Sequence, residues 1–239
     1  MTNLLDMAAT HAFRYLESLS SRPIAANASI EELRSRLSRP LPEFPINPKD
    51  VIEELVRDTE GGLIGSASGR FFGWVIGGTL PIALAADWLT SAWDQNAASN
   101  LTAPAEAVVE EVCGEWMKDL LGIPKSASFA FVTGCQMAHT TALAAARHEL
   151  LQRRGWDVER RGLSGAPQLT ILTTKNRHES ILRSARLLGI GTDAIEYVCN
   201  DDTGRMDVQG LAKALERSKH RRASAVRSIS STARILRRV

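Results

Sequence analysis

The chain has 239 residues, of which 44% are hydrophobic and 23% charged, with a formal net charge of +2. This is enough for one large globular domain, or a domain with an appendage. Cys113, Cys135 and Cys199 are widely spaced, with no CxxC pair and no metal-ligand spacing, so a reducing, cytoplasmic setting and no bound metal are expected. The N-terminus carries no basic segment followed by an apolar core, which argues against a secretory signal. The longest weakly charged run, 71–86, is interrupted by Gly73, Gly77, Gly78 and Pro81 and closed by Asp87. It falls short of the roughly 18 apolar residues of a spanning helix.

In chain order, residues 3–19 place Leu4, Leu5, Ala8, Ala12, Tyr15, Leu16 and Leu19 at helical spacing, and Pro23 stops that helix. Ser29-Ile-Glu-Glu32 reads as a capping box opening a short helix to about Leu37. Pro40, Pro42, Pro45 and Pro48 stiffen the connector that follows, and Asn47 with Pro48 starts another helix. These early helices show no obvious core of their own, so their apolar stripes are expected to pack on a partner subunit or on the main domain. Residues 61–73 read as a Gly/Ser-rich loop, and a helix is expected from about Pro81 to Gln95. Residues 104–121 are amphipathic, with Val108, Val112, Trp116 and Leu120 four apart, and Gly122-Ile-Pro124 ends them.

From there strands and helices alternate. Phe129–Val132 reads as a strand and 136–153 as an Ala-rich helix. Leu169–Thr173 is a strand and 178–188 a helix closed by Gly189 and Gly191. Ile195–Val198 is a strand and Val208–Leu215 a helix. Such alternation predicts an α/β fold with a parallel sheet covered by helices. Charge divides the chain unevenly. Residues 1–216 hold all 27 acids and 21 of the 29 Lys+Arg, a net of −6, whereas 217–239 hold eight basic residues and no acid.

Two strand-to-helix turns carry the functional signal, because strand ends in such folds converge on one crevice. Thr133-Gly134-Cys135-Gln136 joins a strand to a helix, where a glycine and free helix N–H groups suit a phosphate. His178 follows an apolar strand at the head of a helix, where an imidazole can lie against a flat ring. Taken alone, the turn also fits a tight connection, and a lone histidine there is more often a cap. His139 is a weaker candidate for ligand contact. His11 lies on the first helix, and His148 and His220 fall on polar stretches. No spacing resembles a zinc site and no GxSxG elbow occurs.

The segments Phe71-Phe-Gly-Trp-Val-Ile-Gly-Gly-Thr-Leu-Pro, Ala85-Ala-Asp-Trp-Leu, Trp93-Asp-Gln-Asn, Phe131-Val-Thr-Gly-Cys-Gln-Met-Ala and Arg177-His178, in that order, resemble the pyridoxal-phosphate-dependent group II decarboxylases. The resemblance covers about residues 40–216. It implies part of a fold-type-I large domain (61–216) preceded by an N-terminal helical segment (1–60), with 217–239 a basic tail unlike the family. It also implies pyridoxal 5'-phosphate as cofactor, amino-acid decarboxylation as the reaction, and a cytoplasmic homodimer that binds neither nucleic acid nor membrane. Carried over by position, Thr133, Gly134, Cys135 and Gln136 would hold the cofactor phosphate. Cys135 and Gln136 depart from the small or hydroxylated residues usual there. His178 would stack on the cofactor ring and act in catalysis, and Phe72, Trp74 and Asn96 would contact substrate. Core packing is the alternative for the two aromatics.

The family's aspartate-bearing strand and its Schiff-base lysine segment find no match in 217–239. Lys125, Lys175 and Lys213 do not sit in the expected context. The chain therefore reads as a truncated or frame-disrupted family member, inactive alone and either weakly soluble or dependent on a partner. The competing readings are a non-catalytic cofactor-binding or interaction fragment, a different pyridoxal-phosphate enzyme, and nonspecific binding of nucleic acid or acidic membrane through the basic tail.

Overall fold

The computed structural model describes residues 2–220 and 224–227. The chain divides into two compact units, one up to Pro104 and one from Ala105 on.

The first unit is helical. It contains α1 (Thr2–Ser18), α2 (Ile30–Leu37), α3 (Pro48–Thr59) and α4 (Pro81–Trp93), followed by the start of α5 (Pro104–Leu121). Local chemistry sets the boundaries the sequence pointed to. Ser29 accepts from the Glu32 N–H at 3.1 Å, and Glu32 accepts from the Ser29 N–H at 2.7 Å, which closes the capping box. Asn47 caps α3 ahead of Pro48. Among the described residues the only buried ones in this unit are Asp58, Gly65, Ser68 and Ala103. Polar pins replace an aliphatic core. His11 meets Glu53 at 3.2 Å between α1 and α3, and Arg70 donates to the Arg22 carbonyl at 2.6 Å. The Asp58 carboxylate, 7% exposed, receives both Arg57 and Arg39. The hydrogen bond from Arg57, aided by the charge of Arg39, holds Asp58 below the usual carboxylate range. Phe13 stacks on Trp88 at 5.9 Å.

The second unit is built on three parallel strands in the order β2-β1-β3: β1 (Leu169–Thr174), β2 (Ile195–Val198) and β3 (Ser224–Arg227). Ile171 pairs with Ile195 on one side, and Leu169 with Ser224 on the other. All six residues of β1 are buried, as expected of a central parallel strand covered on both faces. Alternation along β1 divides the core. Ile171 packs with Leu143 of α6 (Cys135–Gln152) and with Ile181 and Ala185 of α8 (Ser180–Leu187). Leu172 points the other way, to Val198 and Ala214 of α9 (Val208–His220). Leu169 joins Leu151 and Val158, the latter on α7 (Val158–Arg161). Each fully buried aliphatic contributes about 1.5–3 kcal/mol. The basic stretch 217–239 provides the end of α9 and then β3; residues 221–223 and 228–239 lie outside the described residues.

Three boundaries differ from the sequence reading. Residues 129–132 form no strand. The Phe131 N–H donates to Glu110 of α5 at 3.3 Å instead of to a neighbouring strand. The Phe129 ring lies against Gly114, where it fills the place of an added Cβ, and under the Lys118 ammonium at 5.6 Å. Lys118 is only 6% exposed and donates to the carbonyls of Lys125 (2.9 Å) and Ala127 (3.2 Å), so α5 holds this whole segment. Next, α8 starts at Ser180 with Glu179 as its cap residue, which leaves His178 in the turn ahead of it. Finally, α9 runs on to His220 rather than ending at Leu215.

Candidate functional site

The β1 strand delivers the chain to Thr174, and a short turn carries it through Lys175, Arg177 and His178 into α8. His178 is exposed. Arg177 pairs with Glu179 at 3.2 Å, and its guanidinium lies 5.6 Å from the Tyr197 ring. The other turn ends at Gly134, whose φ of 149° and ψ of 175° suit glycine alone. No side chain caps α6, and the first helical bond runs from the Ala138 N–H to the Gly134 carbonyl at 3.0 Å. The head of this 18-residue helix therefore presents backbone N–H groups and the positive end of its dipole. A Cβ at Gly134 would meet nothing within 4 Å, so the turn itself is not crowded at this position.

Hydrogen bonds join the two turns. The Gln136 carboxamide donates to Ser184 Oγ at 2.9 Å and to the Ser180 carbonyl at 3.3 Å. Thr140 Oγ1 donates to the Gln136 carbonyl at 3.0 Å and meets Ser184 Oγ at 2.9 Å. Ser180 Oγ lies 2.8 Å from His178 Nδ1 and 2.7 Å from His139 Nδ1, and the Ser180 N–H donates to His178 Nδ1 at 3.2 Å. Thr140, Ser180 and Ser184 are all buried, as is Thr173. Thr173 stands on the same face of β1 as Ile171, and its hydroxyl has no hydrogen-bond partner among the described residues. A layer of hydroxyls thus lies between the sheet and the heads of α6 and α8.

The structure brings Gly134, Cys135, Gln136 and His178 to these two linked helix heads. Thr133 and the Cys135 thiol are exposed beside them. The Gln136 side chain is committed to α8, so what it offers at the helix head is its backbone N–H. Ser180, Ser184 and Thr140 were missed in the sequence. Their signal was polar residues at i, i+3 and i+4 along two helices: Gln136, His139 and Thr140 on one, Ser180 and Ser184 on the other. Phe72, Trp74 and Asn96 belong to the first unit. Phe72 and Trp74 are 92% and 88% exposed, so neither is packed in a core, and Trp74 and Val75 both adopt positive φ. The Asn96 side chain accepts from the Ala98 N–H at 3.1 Å and so shapes its own loop. No helix among the described residues is long and apolar enough to cross a membrane.

Residues 31–229 match the pyridoxal-dependent decarboxylase conserved domain, past residue 217 where the composition shifts. The chain is 25% identical over 205 residues to the aromatic-L-amino-acid decarboxylase of Bacillus atrophaeus, covering 86% of this chain and 40% of that protein. It is 31% identical over 146 residues to the cysteine sulfinic acid decarboxylase of Mus musculus, covering 61% and 29%. The chain thus spans less than half the length of these curated relatives. Among solved structures it resembles mouse CSAD in apo form, with a TM-score of 0.79 and 24% identity, covering 92% of this chain and 47% of that one. It also resembles Oryza sativa TDC with PLP, with a TM-score of 0.81 and 21% identity, covering 94% and 49%. These likenesses fix the architecture as a portion of the fold-type-I large domain with its N-terminal helices. With the domain match spanning most of its length, the chain belongs to the pyridoxal-dependent decarboxylase family.

Proposed function

We propose that the chain holds pyridoxal 5'-phosphate between the head of α6 and the ring of His178, as the cofactor-binding portion of an amino-acid decarboxylase. The observation that carries this reading is the meeting of Gln136 and His178 on Ser180, which sets an uncapped helix head beside an exposed imidazole. The N–H groups at Gly134, Cys135 and Gln136, with the Thr133 hydroxyl, would hold the phosphate, since an uncapped, exposed helix head attracts an anion. His178 has its Nδ1 occupied by Ser180, which leaves its face and its Nε2 for the cofactor ring. Once bound, pyridoxal phosphate supplies a ring that takes up the electron pair left by a departing carboxylate. The chain's own contribution is to bind and orient, with His178 positioned to hold or move a proton at Nε2. By the family resemblance, Phe72, Trp74 and Asn96 are the candidates for substrate contact. An amino acid is the substrate class, and a cytoplasmic homodimer is the assembly.

The chain alone would not complete the reaction. Among the described residues no lysine is hydrogen-bonded to Gln136, His139, His178 or Ser180, and the Lys118 ammonium is committed to two carbonyls and to Glu115. The second reading, a cofactor-binding but non-catalytic piece, rests on that observation.

Absorbance titration of the purified chain with pyridoxal phosphate tests both readings. Saturable binding is expected, weakened about 2- to 10-fold in His178→Ala by loss of the ring contact. Borohydride treatment followed by mass spectrometry should find no single modified lysine, and no carbon dioxide should be released from amino acids. Absence of saturable binding would overturn the cofactor reading. A unique lysine adduct with turnover would overturn the non-catalytic one.

A further inference from the structure

His139 and His178 come from different helices, yet both ring Nδ1 atoms reach one hydroxyl, Ser180 Oγ, at 2.7 and 2.8 Å. The proton positions can be worked out from the one donor whose direction is fixed. A backbone N–H only donates, and the Ser180 N–H points at His178 Nδ1 at 3.2 Å, so that nitrogen carries no proton. Ser180 Oγ must then give its single proton to His178 Nδ1. Its lone pairs remain for His139, whose Nδ1 must be the donor. The opposite choice would set a proton-free Nδ1 of His139 against a hydroxyl whose proton is already used. Ser180 is 2% exposed, so water does not compete for these bonds.

We propose that His139 and Ser180 are positioning residues for His178. The chain of bonds from His139 Nδ1–H to Ser180 Oγ–H to His178 Nδ1 fixes the ring's orientation and its tautomer, so that His178 presents Nε2–H to the site. His139 is held in the Nδ1–H form, the less common tautomer of free neutral imidazole. This inference rests on the proposed role of His178 toward the cofactor ring, but the bonded chain itself needs no cofactor to exist.

Long-range nitrogen–proton NMR of the full chain, without cofactor and at mildly alkaline pH, reads the two tautomers directly. The expected result is a proton-free Nδ1 and a protonated Nε2 at His178, with the reverse at His139. Ser180→Ala removes the hydroxyl, and the His139 signal should move toward the Nε2–H form. Ser180→Thr keeps a hydroxyl and should restore it. A His139 already in the Nε2–H form in the parent chain, a His178 protonated at Nδ1, or no change at either ring in Ser180→Ala would overturn the proposal. If Ser180→Ala does not fold, the parent spectrum alone decides. Pyridoxal phosphate affinity supplies the second readout: roughly three- to tenfold weaker in Ser180→Ala and close to the parent in Ser180→Thr. Tautomers as expected with no cofactor binding by the parent chain would leave the bonded chain standing and refute the cofactor reading. Cofactor binding with the wrong tautomers would do the opposite.

Discussion

Gly134→Ala offers a clean perturbation at the head of α6, because the structure separates its causes. An added Cβ meets nothing within 4 Å, so there is no clash to relieve. What changes is the backbone. At φ 149° and ψ 175° a residue with a Cβ is strained by about 1–3 kcal/mol. Alanine is also a poorer N-cap than glycine, by roughly 0.5–1 kcal/mol. Against these, alanine restricts the unfolded chain and returns about 0.4–1 kcal/mol. The net expectation is a destabilisation of about 1–3 kcal/mol, or roughly 3–12 °C in the thermal midpoint for a unit of this size. Chemical denaturation followed by far-ultraviolet circular dichroism measures it. Gly134→Ser divides the two causes, since serine adds a capping oxygen that the parent lacks and retains the Cβ of alanine. If Gly134→Ser were as stable as the parent chain, the strain argument would be wrong and capping alone would matter. An unchanged Gly134→Ala would refute both. Pyridoxal phosphate binding should weaken in both variants, because a turn relaxed out of this conformation no longer aims the same N–H groups outward.

Gly114→Ala should destabilise the second unit by up to about 2 kcal/mol. The ring of Phe129 occupies the place of the new Cβ, which costs about 1–3 kcal/mol, and the gain of about 1 kcal/mol in helix propensity offsets only part of that. Phe129→Ala in the same background should remove the penalty, and a double-mutant cycle in denaturant checks it. Lys118→Met should cost about 1–3 kcal/mol, because the carbonyls of Lys125 and Ala127 lose the buried ammonium that donates to both; equilibrium unfolding would show it. Acid should loosen the first unit. The Asp58 carboxyl is lowered first by its bond from Arg57, and Glu32 first by the Ser29 N–H. Such groups contribute stability that is complete above their unfolded values, about 4, and is lost as the pH falls through the lower folded values. Unfolding midpoints should therefore drop below about pH 4, with a shallower drop in Asp58→Asn and Glu32→Gln. An identical pH profile in those variants would show that other carboxylates are responsible.

What the sequence made legible was local. The Ser29 and Asn47 caps, the stop after α5 and the β1 strand each depend on residues within a few positions, and each stands where its pattern placed it. His178 and the Gly134 turn were legible because both are punctuation between an apolar run and a helix. Phe129–Val132 has the composition of a strand, but a strand needs a neighbour, and here the backbone partner is the Glu110 side chain. The bridge from His139 to Ser180 spans 41 residues, and no local pattern encodes such a meeting. The two helices' polar stripes could have hinted at it. They could not have shown that both stripes face the same hydroxyl layer.

The placement of β1 between β2 and β3 has a consequence for how the chain is made. Its six residues, Leu-Thr-Ile-Leu-Thr-Thr, are uncharged and β-prone, and they acquire their second flanking strand only when residue 224 pairs with residue 169, 55 positions later. At ordinary synthesis rates of about 5–20 residues per second, this strand waits roughly 3–11 s with one edge unclaimed. Hydrogen-bonding groups left open for that long on an uncharged segment can recruit the same segment of another nascent chain. Yield of folded material should therefore depend more on chaperone supply and slow, cool expression than on the stability of the finished sheet.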